Sequence, residues 1–494
     1  MLTALVFAPL LGALVILFLN KENKQQIRRT ALLFSLIPLV LVALMALRYQ
    51  YGATGMQFVE RYEWIPSIGV SYYLGTDGIS FPMLAVTALV STLAILTSFT
   101  IEQRVKEFFA LFLLLETGML GVFVALDYFL FYIFWEVVLV PMYFLIGIWG
   151  GPNRQYASIK FFIYTLAGSV VMLVGILALY FSSGLGTFDM LAIAERGGFD
   201  PTFQVWVFLA LFFGFAVKVP IFPFHTWLPD AHVEAPTGGS MVLAGVLLKM
   251  GTYGFFRIAV PTLPDAAAQF ALPLAVLGVI NIVYGALAAM AQPDMKKMVA
   301  YSSVSHMGFV ILGVAAGVAG GSEMAMNGAL FVMVSHGIIS PLMFFLVGSA
   351  LYDRAHTRMM PEMGGMWTQL PIIGTILAFG AFANLGLPGL SGFAGEFFTF
   401  VGSFPIFTTL VIVGSLGLIL TAGYHLWMMQ RVLLGEPKGS HHPMPDITGR
   451  ELAVSVPLML ATAALGIFPP MLLNVLNPAV VSLVNQVQLA LGGL

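Results

Sequence analysis

Apolar residues run along this chain in long blocks separated by short polar connections. A membrane-spanning helix needs roughly 20 largely apolar residues. About fourteen stretches qualify, near 2–19, 31–48, 78–99, 108–126, 128–149, 160–181, 205–229, 240–257, 272–291, 299–318, 324–350, 371–403, 404–430 and 452–468. The pattern predicts an all-α polytopic membrane protein, and these stretches are numbered below as spans one to fourteen. The first has neither a basic leader nor a small-residue cleavage site, and reads as a retained helix rather than a signal peptide. The connection 50–76, with Tyr62, Trp64, Tyr72 and Tyr73, reads as a short hairpin on the non-cytoplasmic face. After Pro469 and Pro470, residues 471–490 are apolar with scattered Asn and Gln, the pattern of a helix lying at the membrane interface.

Composition sharpens this picture. Only 9% of the 494 residues are Asp, Glu, Lys or Arg, against about 25% in soluble domains, so the chain cannot cover a water-facing surface. With 21 basic and 23 acidic residues the net charge is −2, which leaves no polybasic footprint for nucleic acid. The absence of Cys excludes disulfides, thiolate zinc sites, Cys-ligated iron–sulfur clusters and thiol chemistry. Lys and Arg are distributed unevenly. Fifteen lie in one set of alternating loops, four (Arg48, Arg61, Arg196 and Arg257) in the other, and two (Lys218 and Lys249) inside spans. The positive-inside rule makes the first set cytoplasmic and puts both termini on the opposite side. The loop 431–451 contains His441 and His442 beside prolines, and reads as a solvated loop rather than a metal site.

Two spans carry helix breakers at mid-membrane depth. In the first, Pro220 and Pro223 follow Lys218 and lead to His225; in the second, Pro388 and four glycines precede Glu396 in the stretch 384–396. Proline removes a donor and clashes with the preceding turn, and in lipid the freed carbonyls need partners from neighbouring helices or water. The breaks fall in spans seven and twelve. An odd offset of five implies two inverted five-helix repeats, 108–257 and 272–430, each containing a broken helix, a transporter architecture with sites near the midplane. The N-terminal spans 1–107 and a C-terminal helix with an interfacial tail, 452–494, flank them.

Ionisable residues recur through the same spans: Glu116, Glu136, Lys218, Lys249, His306, His336, Glu396 and His425. A charge at a helix centre costs about 2.5–3.5 kcal/mol on insertion scales, which one long apolar helix tolerates. Serial placement is what points to an ion or proton path, because such groups face bundle interiors. Burial loosens a lysine's hold on its proton and a nearby carboxylate tightens it, so a Lys–Glu pair of changing separation is a proton switch. A switch worth ~4 kcal/mol moves one charge against ~180 mV at about 2.3 kcal/mol per 100 mV. Glu116 reads equally well as a structural partner for a helix end, and His425, with no polar neighbour beyond Tyr424, reads more simply as bonding a carbonyl. A haem held between His306 and His336 is disfavoured by the Ser and Tyr residues around His306, and no Gly-rich strand-to-helix turn supports nucleotide binding.

The run from Lys218 to Lys249, KVPIFPFHTWLPDAHVEAPTGGSMVLAGVLLK, resembles the signature of the antiporter-like subunits of complex I, the proton-pumping NADH:quinone oxidoreductase. So do FWE at 134–136, QPDMKKMVAYSSVSH at 292–306 and GLPGLSGFAGE at 386–396. Glu396, where sibling subunits carry Lys, resembles the subunit M (chain 4) type. The resemblance implies that Glu136 and Lys218 form the paired acid and lysine of the first broken helix. It further implies that Lys249 is the central lysine, His306 and His336 relay positions, and Glu396 the group of the exit half-channel. It implies a translocating role without a redox centre or cofactor in this chain. FMN, iron–sulfur clusters and quinone are expected in partner subunits, which include two sibling antiporter-like subunits, and a bacterial plasma (inner) membrane is the expected site. The competing readings are a subunit of a multi-subunit sodium/proton antiporter, against which Glu396 weighs, and a passive membrane scaffold.

Overall fold

A computed structural model of the chain describes residues 1–438 and 444–492; His441 and His442 lie outside the described residues. All fourteen apolar stretches are helical. Among the described residues thirteen helices are long and apolar enough to cross a membrane, from Lys24–Ala46 to Pro470–Ala490. Two of the expected spans are shorter: Leu2–Phe18, and span twelve, which is divided into Pro371–Asn384 and Ser391–Ser403. The helix Pro470–Ala490 reaches spanning length but runs across helix ends. The Asn327 amide donates to Asn477 Oδ1 (2.7 Å), Gln488 donates to the Val318 carbonyl (3.1 Å), and the Val475 carbonyl lies against Gly78. These partners share one end of spans three, ten and eleven.

The hairpin expected in 50–76 is present. Strand β1 (Gln57–Ile65) pairs antiparallel with β2 (Val70–Thr76). Gly69 makes the turn at φ 67°, and the Gly186 carbonyl occupies the place where a Cβ would stand. The hairpin runs into Asp77, whose carboxylate accepts from the Ile79 and Ser80 amides (both 3.0 Å) and so starts span three.

Both proline-marked breaks are open turns. Helix Pro201–Lys218 stops at Lys218, and the chain resumes helix at Trp227–Glu234. The carbonyls freed there are taken up as lipid burial demands. The Trp227 indole donates to Val217 (2.9 Å), and Asn281 of span nine donates to Pro220 (3.2 Å) while accepting from the Phe222 amide (2.8 Å). At the second break Gly386 and Gly389 hold φ of 84° and 94°. Spans eight and eleven also contain π-helical turns at Leu243–Leu247, Phe255–Ala259 and Leu346–Ala350, a feature for which hydropathy gives no signal.

Spans eight, ten and eleven are the most enclosed, whereas spans two, six and thirteen expose apolar faces such as Val174, Phe181 and Ile419. The spans that carry Lys249, His306 and His336 therefore occupy the centre, while spans two, six and thirteen form part of the rim, the last with its His425 turned inward. Close approach of span eleven to the second half of span twelve depends on small residues. A Cβ at Gly328 would meet the Thr399 amide nitrogen at 2.3 Å, and one at Gly395 would meet the Val332 amide nitrogen at 2.8 Å. This seam presents Glu396 to the interior. Gly328→Leu is expected to wedge it apart, costing about 1–3 kcal/mol as overpacking does. Thermal unfolding of the purified assembly should then fall by several degrees.

Candidate proton-relay site

Lys249 is fully buried on the helical turn between two π-helical segments of span eight. Its ammonium donates to the Ala244 carbonyl five residues back and contacts His336 Nδ1 at 2.6 Å. The His336 ring stands 5.4 Å from that of His306, centroid to centroid, at 51°. His306 Nδ1 in turn is 2.8 Å from Glu396 Oε1, with both side chains buried. Four of the six expected relay residues thus form one connected row across spans eight, eleven, ten and twelve. His306 Nε2 is buried without a protein partner, as is fitting for a group that bonds water. Gly386, at the second break, leaves room beside Glu396: a Cβ there would lie 3.2 Å from Glu396 Oε2.

Glu136 and Lys218, the other two expected relay residues, stand apart from this row. Asp127 caps the first half of span five by accepting from the Phe129 and Leu130 amides, and Glu136 lies at the end of that segment. Lys218 Nζ stands over the Trp135 ring at 5.1 Å, a cation–π contact that offsets part of its burial. No ion pair within 4 Å joins Glu136 to Lys218 among the described residues, and Glu136 Oε1 is buried without a partner. Span eight packs directly on this site through Gly251, where a Cβ would fall 3.1 Å from Lys218 Cβ. Lys218 and the helix of Lys249 are thus packed together, yet among the described residues no hydrogen bond links the two lysines.

The two remaining in-span groups lie apart from the row. Glu116 accepts from Ser35 of span two (3.1 Å), and His425 Nε2 receives the Asn384 amide (2.9 Å). Asn384 closes the first half of span twelve and also donates to Ser302 Oγ (3.0 Å), which accepts the Tyr424 hydroxyl (2.7 Å).

His232 was missed in the sequence. The expected end of span seven at 229 left it in a loop, whereas the half-helix Trp227–Glu234 carries it inside. It is fully buried, stacks on Phe344 (4.2 Å, 6°), and neither ring nitrogen has a partner. His336, Ser340 and Phe344 share one face of span eleven at a spacing of four, and Ser340 meets Ser303 of span ten (3.3 Å). A polar column thus runs from Lys249 toward His232 and the basic-loop end, where Lys296 donates to the Ala235 carbonyl (2.7 Å). Asn281 was also missed, since an uncharged amide in an apolar span raises no alarm.

Among the described residues no cluster of His, Asp or Glu could hold a metal ion, and the chain has no Cys. The fold and the site together define a polytopic membrane protein of the antiporter-like kind, with buried ionisable groups strung between two broken helices. A sequence profile described as "NADH:quinone oxidoreductase/Mrp antiporter, TM" matches residues 125–421, and the chain belongs to that family. Over 100% of its length it is 43% identical to NADH-quinone oxidoreductase subunit M of Rhodobacter capsulatus, covering 98% of that protein. It is 41% identical to NAD(P)H-quinone oxidoreductase chain 4 1 of Nostoc sp., covering 95% of this chain and 88% of the relative. A chain of respiratory complex I from Thermus thermophilus superposes with a TM-score of 0.90 at 31% identity, covering 99% of this chain and 100% of that one. The Mrp complex from Dietzia sp. shares the fold, with a TM-score of 0.85 at 21% identity over 99% of each chain.

The clamp at the first break can be tested directly. Asn281→Leu leaves the Pro220 carbonyl and the Phe222 amide unpaired in an apolar setting, which costs about 1–3 kcal/mol per buried polar group. The purified assembly should unfold at a lower temperature, and Asn281→Gln should not restore it because the longer side chain displaces the amide.

Proposed function

We propose that this chain conducts protons across the membrane as a redox-inert membrane-arm subunit of NADH:quinone oxidoreductase. Glu136, Lys218, Lys249, His336, His306 and Glu396 are its stations. The observation that carries this reading is the row Lys249–His336–His306–Glu396, in which each neighbouring pair is in contact or within one ring reorientation. Lysine is a proton store with three donors; neutral histidine takes a proton at one nitrogen and releases one from the other. A proton leaving the Lys249 ammonium enters His336 at Nδ1. Transfer to His306 needs a ring turn or a bridging water over the 5.4 Å between centroids, and Glu396 accepts from His306 Nδ1. Loading of Lys249 responds to whether Lys218, one helix away, leans toward Glu136 or away from it.

The frame for this traffic is a pair of inverted units, 108–257 and 272–430, with the breaks at 218–225 and 384–396 in corresponding places. The cation of the first break is Lys218, and the acid of the second is Glu396, so the two halves offer opposite charge at matched depth. Flavin, iron–sulfur clusters and quinone belong to partner subunits, the sibling antiporter-like chains are neighbours in the membrane arm, and the membrane is the bacterial plasma membrane. A second reading, a subunit of a sodium/proton antiporter, draws on the fold shared with the Mrp complex. Flavin and iron–sulfur absorbance in the purified assembly separates the two.

Lys249→Met and Glu396→Gln keep side-chain volume and remove the titrating group. In the intact complex in proteoliposomes, NADH-driven acidification should fall by about tenfold or more, the scale on which positioned proton carriers act, while the assembly stays complete. Pumping at the normal rate in either variant contradicts the proposal.

A further inference from the structure

Span eight carries a second buried charge on the side of Lys249 that faces away from the relay. Arg257 lies eight residues on, about 12 Å along the helix at 1.5 Å per residue. Its Nη2 is 2.6 Å from Asp77 Oδ1, with the two side chains 8% and 6% exposed. Arg257 Nε donates to the Tyr253 hydroxyl (3.1 Å), which donates to the Phe123 carbonyl (3.2 Å). Beyond this pair a cavity of about 700 Å³ opens at the hairpin end of the molecule. Asp77, Arg257, Gln204, Asp265, Ser482 and Gln486 are among its lining residues, a volume and polarity that admit many waters. Between the cavity and Lys249 lies an aromatic layer, with Tyr253 edge-on to Phe123 (5.2 Å) and Phe255 edge-on to Phe215 (5.4 Å). All four rings are fully buried. The Lys249 ammonium turns the other way, to Ala244 and His336.

A pump that loads Lys249 from the basic-loop side and discharges through Glu396 fails if Lys249 also opens to water on the hairpin side. We propose that the Asp77–Arg257 pair, braced on Tyr253, is the seal that closes Lys249 to this cavity and prevents protons from leaking back through the first half of the chain. The inference rests on the relay reading above. A guanidinium stays charged at every working pH and has no lone pair to receive a proton, so it cannot serve as a stepping stone. A fixed Arg in a narrow polar passage is also an electrostatic barrier to protons. Asp77 holds it in place. Burial pushes the Asp77 carboxyl up, and Arg257 with the Ile79 and Ser80 amides more than reverses this, leaving it below the usual carboxylate range and ionised.

The test uses the complete complex in proteoliposomes without NADH, with an imposed potassium diffusion potential and an entrapped pH dye. The double variant Asp77→Asn, Arg257→Gln removes both charges while keeping size and hydrogen-bonding capacity. Its passive proton influx should rise by about tenfold or more once the electrostatic barrier is gone, and adding Lys249→Leu should return influx to the wild-type level. A double variant that assembles with unchanged influx overturns the proposal, and so does a leak that survives Lys249→Leu. A pair that merely pins the hairpin to span eight would lower thermal stability and leave influx unchanged. Lys249→Leu alone, read during NADH oxidation, reports on the relay itself, so a failed relay and a failed seal give different results.

Discussion

Hydrocarbon does not solvate charge or spare backbone polar groups, and every feature of this molecule's centre answers to that constraint. An ionisable side chain in a bilayer must be partnered, hydrated or neutral, and each broken helix must lodge its freed carbonyls somewhere. Here the two requirements are met with the same parts. The prolines that interrupt span seven leave carbonyls that Trp227 and Asn281 take up. The second break begins after Asn384, which ties into Ser302 and His425. Both fastenings reach the helices around His306: Asn281 also donates to the Val304 carbonyl (3.4 Å), and Ser302 is one turn before His306. The breaks are therefore stitched to the helix that carries His306.

The arrangement is directional. Lys249 projects toward the basic-loop end and onto His336, the row proceeds through His306 to Glu396, and the opposite side of Lys249 is packed with rings. A proton conductor does work only if one route is open and the others are closed. Span eight carries both kinds of cation, an exchangeable one at position 249 and a permanent one at position 257. That distinction between lysine and arginine gives chemical meaning to a helix that composition alone would describe as apolar with two charges.

Much of this was legible in the sequence, because membrane insertion writes itself in large letters. Twenty-residue apolar blocks located the spans, Pro and Gly inside them located the breaks, and the cost of burying charge drew attention to eight ionisable in-span residues, of which the resemblance to the antiporter-like subunits implied roles for six. The aromatic-rich stretch before span three proved to be a hairpin, and the Asn- and Gln-bearing tail a helix lying over span ends. What was not legible depends on packing between distant segments. The 2.6 Å contact of Lys249 with His336 joins residues 87 apart, and no periodicity encodes it. His232 was lost to a boundary placed a few residues early, since a break that resumes as helix looks like a loop in a hydropathy trace. Asn281 and Asn384 carry no charge, and so their clamps on the breaks stay hidden until the chain is folded. Arg257 was counted among loop residues by its position at a span end, although its burial and its pairing with Asp77 make it part of the core.

Proton transfer from Lys249 to Glu396, as proposed, needs a hydrated, titrating row through the middle of the membrane. A density map of the whole assembly, at a resolution that places ordered water, tests it most directly. Water is expected bonded to His306 Nε2 and between the His306 and His336 rings, and between Lys218 and Glu136. Dry apolar contact at those places in every state of the working cycle, or relay side chains turned to lipid, would contradict it.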